Sequence, residues 1–385
     1  FMNYNFDGTN RMYGVSGVHK GFQWDGTTWT DITTSMSTDT PNHVAGFKNH
    51  LFYSFGASVQ NSSLGDPSSW SVLTGASEIV MDDTVTGFST MPDGSLGIYT
   101  PTGINLLSGS VIADFIATNT VEYGNNAGAF ADTIQSMGSK VRFTDSRGVT
   151  DLSASQASSD FYDSIISHDM DKVIESRWTR AVSSTVVREK NQYRLFFSDG
   201  TGLILVFLED TVMITQLLWP DIVRCVVNTE SSTGAELIYF GSDDGYIYQM
   251  ESGRSFGGDT ILAYAATPFI DAGQASKIKR WRRARFDVGS AGSSGLTVIP
   301  SYYMGPVGVA TNAALTPYFS NEGSLLGAAT LGEAVLGGAP IDDGRVSLAG
   351  HSEWVSFRFT SSTTTHAPWE LDGITIEYLA GRDRR

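Results

Sequence analysis

The sequence predicts an all-β protein, a β-propeller of about six blades followed by an antiparallel β-sandwich. Glycine supplies 41 of the 385 residues and aromatics 11%, with abundant Thr, Ser and Val, a composition suited to many short strands joined by tight turns. Apolar strand cores recur at a nearly even spacing, and helical periodicity is confined to one segment.

The recurring core is read at Tyr13-Gly-Val, Leu96-Gly-Ile-Tyr, Val141-Arg-Phe-Thr, Leu195-Phe-Phe-Ser and Leu237-Ile-Tyr-Phe. A glycine follows each after seven or eight residues, at Gly21, Gly103, Gly148, Gly202 and Gly245, and a second strand leaves from it. Leu51-Phe-Tyr-Ser-Phe repeats the first strand with a longer loop before Trp70-Ser-Val-Leu. The anchors at 13, 51, 96, 141, 195 and 237 step by 38, 45, 45, 54 and 42, the range of four-stranded propeller blades. A lone small sheet cannot cover both its faces, whereas sheets stacked around an axis cover one another and leave few open edges.

Turn chemistry agrees with this reading. Thr144-Asp-Ser-Arg-Gly148, Ser198-Asp-Gly-Thr-Gly202 and Gly241-Ser-Asp-Asp-Gly245 place Asp, Ser and Gly where a hairpin needs positive φ or a side chain bonding its own backbone. Asp199, Asp243 and Asp244 therefore read as turn formers, since the alternate carboxylate spacing of a calcium loop is absent. Asp25-Gly-Thr-Thr-Trp29 resembles part of the Asp-box turn of sialidase propellers, a turn motif and not a catalytic one. Phe161, Ile165, Ile166, Met170, Val173 and Ile174 recur at helical spacing within Ser159 to Arg177, which predicts a helical insertion near 159–177 and accounts for the 54-residue step.

The glycine timing stops after Met250, and Ser252 to Gly258 reads as a linker, so residues 1–252 form one predicted domain and 259–385 a second. Sandwich strands are expected over Thr260–Phe269, Ile278–Val288, Gly295–Tyr303, Arg345–Leu348, Trp354–Thr360 and Gly373–Tyr378. Gly305 to Gly338, rich in Ala, Gly, Thr and Leu, reads as a loosely packed excursion. The opening Phe1-Met2-Asn3 reads as mid-strand, which predicts an N-terminal portion that is missing here or belongs to another segment.

The one cysteine, Cys225, lies in an apolar strand and reads as a buried, inert thiol, and the fold needs no disulfide. The first residues lack a basic and an apolar targeting region, and no run approaches membrane-spanning length. The histidines, His19, His43, His50, His168, His351 and His366, show no zinc spacing, and neither a nucleophile elbow nor a phosphate loop is present. The expectation is a protein that is not an enzyme and carries no metal or cofactor.

A formal charge of −16 disfavours free binding to DNA. One strand nevertheless is intensely basic, Lys277-Ile-Lys-Arg-Trp-Arg-Arg-Ala-Arg-Phe286. Strict alternation would put Lys277, Lys279, Trp281, Arg283 and Arg285 on one face, with Ile278, Arg280, Arg282, Ala284 and Phe286 on the other. Lys277, Lys279, Arg280, Arg282, Arg283 and Arg285 are thus candidates for a subunit interface or a nucleic-acid-facing surface, an acidic protein partner being favoured. The alternative is a solvated strand whose long stems cover the sandwich.

Asp7 to Gly17, Phe22-Gln-Trp-Asp-Gly26, Pro41-Asn-His-Val44, Lys48-Asn-His-Leu-Phe52, Gly65-Asp-Pro-Ser-Ser-Trp70, Lys190 to Gly200 and Phe240 to Tyr248 together resemble virion structural proteins of tailed bacteriophages. The chain is most similar to the tail nozzle, or tail tubular, proteins of short-tailed phages, over some 250 residues. The resemblance implies a homo-oligomeric ring, commonly of six copies, around the channel through which viral DNA leaves, joined to other tail proteins such as an adaptor ring. It also implies a virion (tail) location after assembly in the host cytoplasm. An acidic lumen would keep the passing genome from adhering to the wall. The competing expectation is a receptor-facing carbohydrate-binding propeller using Trp24, Trp29, Trp70, Tyr302 and Tyr303 as stacking surfaces, although cross-strand packing explains Trp24 and Trp29 equally well.

Overall fold

A computed structural model describes residues 1–91, 94–109, 116–119, 128–138, 140–152, 165–208, 211–253, 255–290, 296–303, 308–317, 344–363 and 369–383. The chain divides into two compact units, Phe1–Glu251 and Ser252–Arg385. The fold is all-β, made of many small antiparallel sheets.

In unit 1 each sheet is a meander of consecutive strands. The first holds β1 (Met2–Asn5), β2 (Asn10–Gly14), β3 (Phe22–Trp24) and β4 (Trp29–Asp31). The second holds β5 (His43–Phe47), β6 (His50–Phe55), β7 (Ser58–Asn61) and β8 (Ser77–Val80). The third holds β9 (Gly87–Thr90), β10 (Leu96–Tyr99), β11 (Ile104–Ser108) and β12 (Ile116–Asn119). The fourth holds β13 (Gln135–Met137), β14 (Lys140–Thr144) and β15 (Val149–Asp151), with a bridge from Thr150 to Ile165. The fifth holds β16 (Ala181–Val187), β17 (Gln192–Phe197), β18 (Thr201–Phe207) and β19 (Val212–Leu218). The sixth holds β20 (Val223–Glu230), β21 (Glu236–Ser242) and β22 (Ile247–Gln249).

Every predicted anchor falls on the second strand of its sheet, and the alternation of that strand joins the sheets. Leu51 and Tyr53 of β6 pack toward Tyr13 of the first sheet, whereas Phe52 between them packs toward Leu96 and Ile98 of the third. Val141 and Phe143 meet Tyr99 and Ile104, and Leu195 and Phe197 meet Met137 and Val149. Ile238 and Phe240 meet Phe196 and Val187. In the sixth sheet the inward residue is thus Ile238, one position after the predicted Leu237. The first strands of consecutive sheets, β1, β5, β9, β13, β16 and β20, lie side by side in order, which is how propeller blades pack around an axis.

The timed glycines have separate local reasons. A methyl at Gly21 would stand 2.4 Å from the Tyr53 hydroxyl of the next sheet, so that loop needs the absence of a side chain. Gly245 instead has φ 85°, a turn conformation that other residues resist. The helical segment is short: a 3₁₀ turn at His168–Met170, an α-helix over Asp171–Glu175 and a second 3₁₀ turn at Trp178–Arg180. Residues 159–164 of the predicted insertion lie outside the described residues.

Unit 2 has two antiparallel sheets around one core. One runs β23 (Ile261–Ala266), β28 (Trp354–Thr363), β25 (Thr297–Tyr303), β26 (Val309–Thr311), and the other β27 (Arg345–Ser352), β24 (Lys277–Ser290), β29 (Trp369–Asp383). Trp281, Phe286, Val298, Val355, Phe357 and Phe359 fill the space between them, with Phe286 edge-on to both Phe357 and Phe359 at 5.4 and 5.3 Å. All six expected strands are present, and β26 is an additional one within the expected excursion, most of which lies outside the described residues.

Candidate interaction surfaces

The basic strand is β24, central in its sheet, and it does not alternate strictly. Trp281 pairs with Tyr378 of β29 while Arg283 pairs with the very next residue, Glu377, so Arg282 is an extra residue in a bulge. The bulge changes the parity of the strand: Lys279 and Trp281 point into the core before it, Ala284 and Phe286 after it. Arg280, Arg282, Arg283 and Arg285 are consequently all exposed, whereas strict alternation would have split them between two faces.

Of the six predicted positions, Lys277 is half-buried and Lys279 is enclosed, correcting its assignment to an exposed surface. The Lys279 ammonium donates to the carbonyl oxygens of Gln274, Lys277 (3.0 Å) and Glu353 (2.9 Å), and burial lowers its pKa. Its neighbour Trp281 donates from Nε1 to Ser352 Oγ at 2.7 Å, so this part of β24 is structural. Arg345 and His351 of β27 add to the exposed face, since they pair with Arg285 and Arg280. Its carboxylates include Asp287, bonded to Arg285 at 3.1 Å, Glu377 opposite Arg283 and Glu370 opposite Gly289. Arg280, Arg282 and Arg283 make no ion pair among the described residues.

The outer face of the other sheet of unit 2 has a different chemistry. Inward Val355, Phe357 and Phe359 leave Trp354, Ser356 and Arg358 facing outward on β28. The pairing Tyr303 to Trp354, and Tyr264 to Thr360, brings the outward side chains of β25 and β23 onto the same face. Leu262, Tyr264 and Val309 are 64%, 73% and 54% exposed, and Phe269 lies 5.9 Å from the Tyr303 ring.

In unit 1 the outer face of the sixth sheet, with Val227, Tyr239 and Ile247, borders a cleft of about 1040 Å³ whose other walls are β16, Asp132 and Phe1. Cys225 lies on this face and is exposed, which corrects the expected buried thiol: no cluster covers that side of the sheet among the described residues. Trp24 and Trp29 are exposed on the first sheet, with Trp29 stacked on Phe22 at 3.6 Å, whereas Trp70 and Tyr302 are buried and unavailable for stacking on a sugar.

The acidic turns divide by role. Asp199 accepts from the Thr201 amide at 3.0 Å, and Asp244 from the Tyr246 amide at 3.0 Å, as turn formers do. Asp199 also pairs with Arg177 at 3.4 Å and Arg180 at 3.5 Å, and Asp243 forms an ion pair with Arg224. Asp25 accepts from the Thr27 and Thr28 amides at 2.9 and 2.7 Å, bonds that lower its pKa. His43 bonds Ser54 Oγ at 2.9 Å and His50 bonds the Ser62 carbonyl at 2.7 Å, and among the described residues no three His, Cys, Asp or Glu converge as a metal site.

No family model and no curated protein matches the chain. Among solved structures it is similar to BBS1N in its complex with ARL6DN, at 12% identity over 64% of this chain and 74% of that one, TM-score 0.45. A chain of the mitotic checkpoint complex is similar at 8% identity over 62% and 72%, TM-score 0.44. The Cps50 (Swd1) β-propeller domain of Myceliophteria thermophila is similar at 11% over 64% and 84%, TM-score 0.38. Likenesses this loose carry no argument about activity or partners.

Proposed function

We propose that this chain is a structural component of a phage tail, a nozzle or tail-tube ring subunit that forms part of the channel for genome ejection. In this reading unit 1 is a β-propeller of six blades, unit 2 is a β-sandwich, and the chain assembles as a homo-oligomeric ring seated on an adaptor ring. The observation that carries it is the arginine face of β24, four exposed guanidinium groups within six residues on a chain of formal charge −16. A cationic face fixed on a sheet is suited to docking against another protein surface, since charge complementarity sets orientation and excludes wrong partners. The acidic remainder lets DNA pass without adhering, because like charge repels phosphate. Nothing in this role requires turnover.

The test is sedimentation and electron microscopy of the purified chain across a concentration series, alone and with candidate tail proteins. A closed ring around an open channel is the expected result. A monomer or trimer under every condition, attached at the periphery of the particle, overturns it.

The exposure of Trp24 and Trp29 favours a second reading, a receptor-facing module that stacks on sugar rings. Binding to a glycan array that is abolished in Trp24→Ala and Trp29→Ala, without ring formation, would move that reading to first place.

A further inference from the structure

We infer that the two outer faces of unit 2 are the two halves of one contact, the arginine face of one copy docking on the aromatic face of the next. The inference rests on the ring reading above and names the surface that the arginines meet.

Three observations carry it. A ring of identical subunits needs two different, mutually complementary patches on each copy, because every contact in it is heterologous. The outer faces of two packed sheets point away from each other, so one copy can present the two patches to two different neighbours. Their chemistry is matched: Arg280, Arg282, Arg283 and Arg285 stand on one, and Tyr264, Tyr303 and Trp354 with Leu262 on the other. A guanidinium is attracted to the negative face of an aromatic ring and stacks on it with little loss of hydration. Arg, Tyr and Trp are also the residues enriched at the centres of protein interfaces, whereas Lys, Glu and Asp are depleted there. Among the described residues the aromatic face carries one cation, Arg358, and the arginine face offers it Glu377.

An acidic patch on the neighbour would be the simpler partner for four arginines, and it makes a different prediction. Contacts between exposed opposite charges weaken steeply with salt, whereas stacked and apolar contacts persist.

Two double variants test the pairing, each confined to exposed side chains and each checked for an unchanged melting curve. Arg280→Glu with Arg283→Glu disables one face, and Leu262→Ser with Tyr264→Ser disables the other. Sedimentation velocity is expected to show self-association weakened about tenfold or more in each. Mixed one to one, the two variants are expected to form dimers and stop there. Each dimer joins the intact aromatic face of the first variant to the intact arginine face of the second, and its two free faces are both disabled. Rings that persist in both variants would remove this face pairing and leave the ring reading standing. Loss of association in the arginine variant alone, with wild-type rings dissolved by salt, would assign the arginines to an acidic surface and overturn the inference. A wild-type chain that stays monomeric with and without tail proteins would remove the ring reading and the face pairing with it.

Discussion

The two units bury their apolar residues in opposite ways. Unit 1 distributes its core among five clusters, each shared by two consecutive sheets, so no single residue touches the whole. Unit 2 has one cluster between two sheets, and its central strand β24 contributes Trp281, Ala284 and Phe286 to it while carrying the arginine face on the other side. Serial packing tolerates local damage. A shared core makes the whole unit depend on a few side chains, and in return it holds surface groups on both sides in fixed register.

The sharpest way to break this comparison is Trp281→Ala. It empties the centre of unit 2 and removes the Nε1–H bond to the Ser352 hydroxyl, which keeps its own bond to the Trp354 carbonyl at 2.6 Å, with an expected loss of about 3–5 kcal/mol. Calorimetry should show the transition of unit 2 moving down while that of unit 1 stays in place. A single transition shifting as a whole would mean that the two units do not melt independently. Next in size is Asp151→Ala in the fourth sheet. Asp151 is buried, receives Lys140 at 3.1 Å and lies 3.9 Å from the buried Arg142, whose guanidinium is 3.7 Å from the Phe207 ring of the fifth sheet. Removing the carboxylate leaves a buried cation uncompensated, for about 3 kcal/mol of destabilisation. Hydrogen exchange should rise chiefly in the fourth and fifth sheets, and a uniform rise across unit 1 would argue against serial packing.

Much of this division was legible in the residues. The anchors located the second strand of every sheet in unit 1, because a strand buried on both faces leaves a short continuous apolar run such as Leu51-Phe-Tyr-Ser-Phe. The sixth anchor was displaced by one residue because Leu237 and Ile238 are equally apolar, and only packing distinguishes the covered face from the open one. Cys225 was misplaced for the same reason: an apolar strand signals burial on both sides, and the sixth sheet is covered on one. The arginine face was half visible. Composition announced it, but the bulge at Arg282 depends on pairing with β29, some ninety residues later, and no local signal reports it. The enclosure of Lys279 was hidden likewise, since two of its three carbonyl partners lie outside the strand, at Gln274 and Glu353.

Smaller effects sharpen the comparison at its margins. Lowering the pH should destabilise unit 1 through His43, whose imidazole is held below its ordinary pKa by burial, an effect partly opposed by Asp132. In the unfolded chain the ring takes up a proton near pH 6.5, about where a free histidine titrates, and the folded chain resists it. Stability therefore declines as pH falls through that value, and the urea midpoint of a His43→Gln variant should depend less on pH there than that of the wild type. The smallest effect expected is that of Arg283→Ser, within about 0.5 kcal/mol, because the side chain is exposed and makes no ion pair among the described residues. A larger loss would mean that the arginine face contributes to folding as well as to docking.

Five clusters linking six sheets in sequence make unit 1 behave as a one-dimensional array, in which each member is stabilised only by its neighbours. Members two to five are held on both sides, while the first and sixth are held on one among the described residues. Such an array frays from its ends: protection against exchange should decline from the third and fourth sheets outward, and the earliest opening should free β22 and the strands around Trp29. In the closed propeller proposed above, contact between the first and sixth sheets would convert those two fraying ends into one more interior joint.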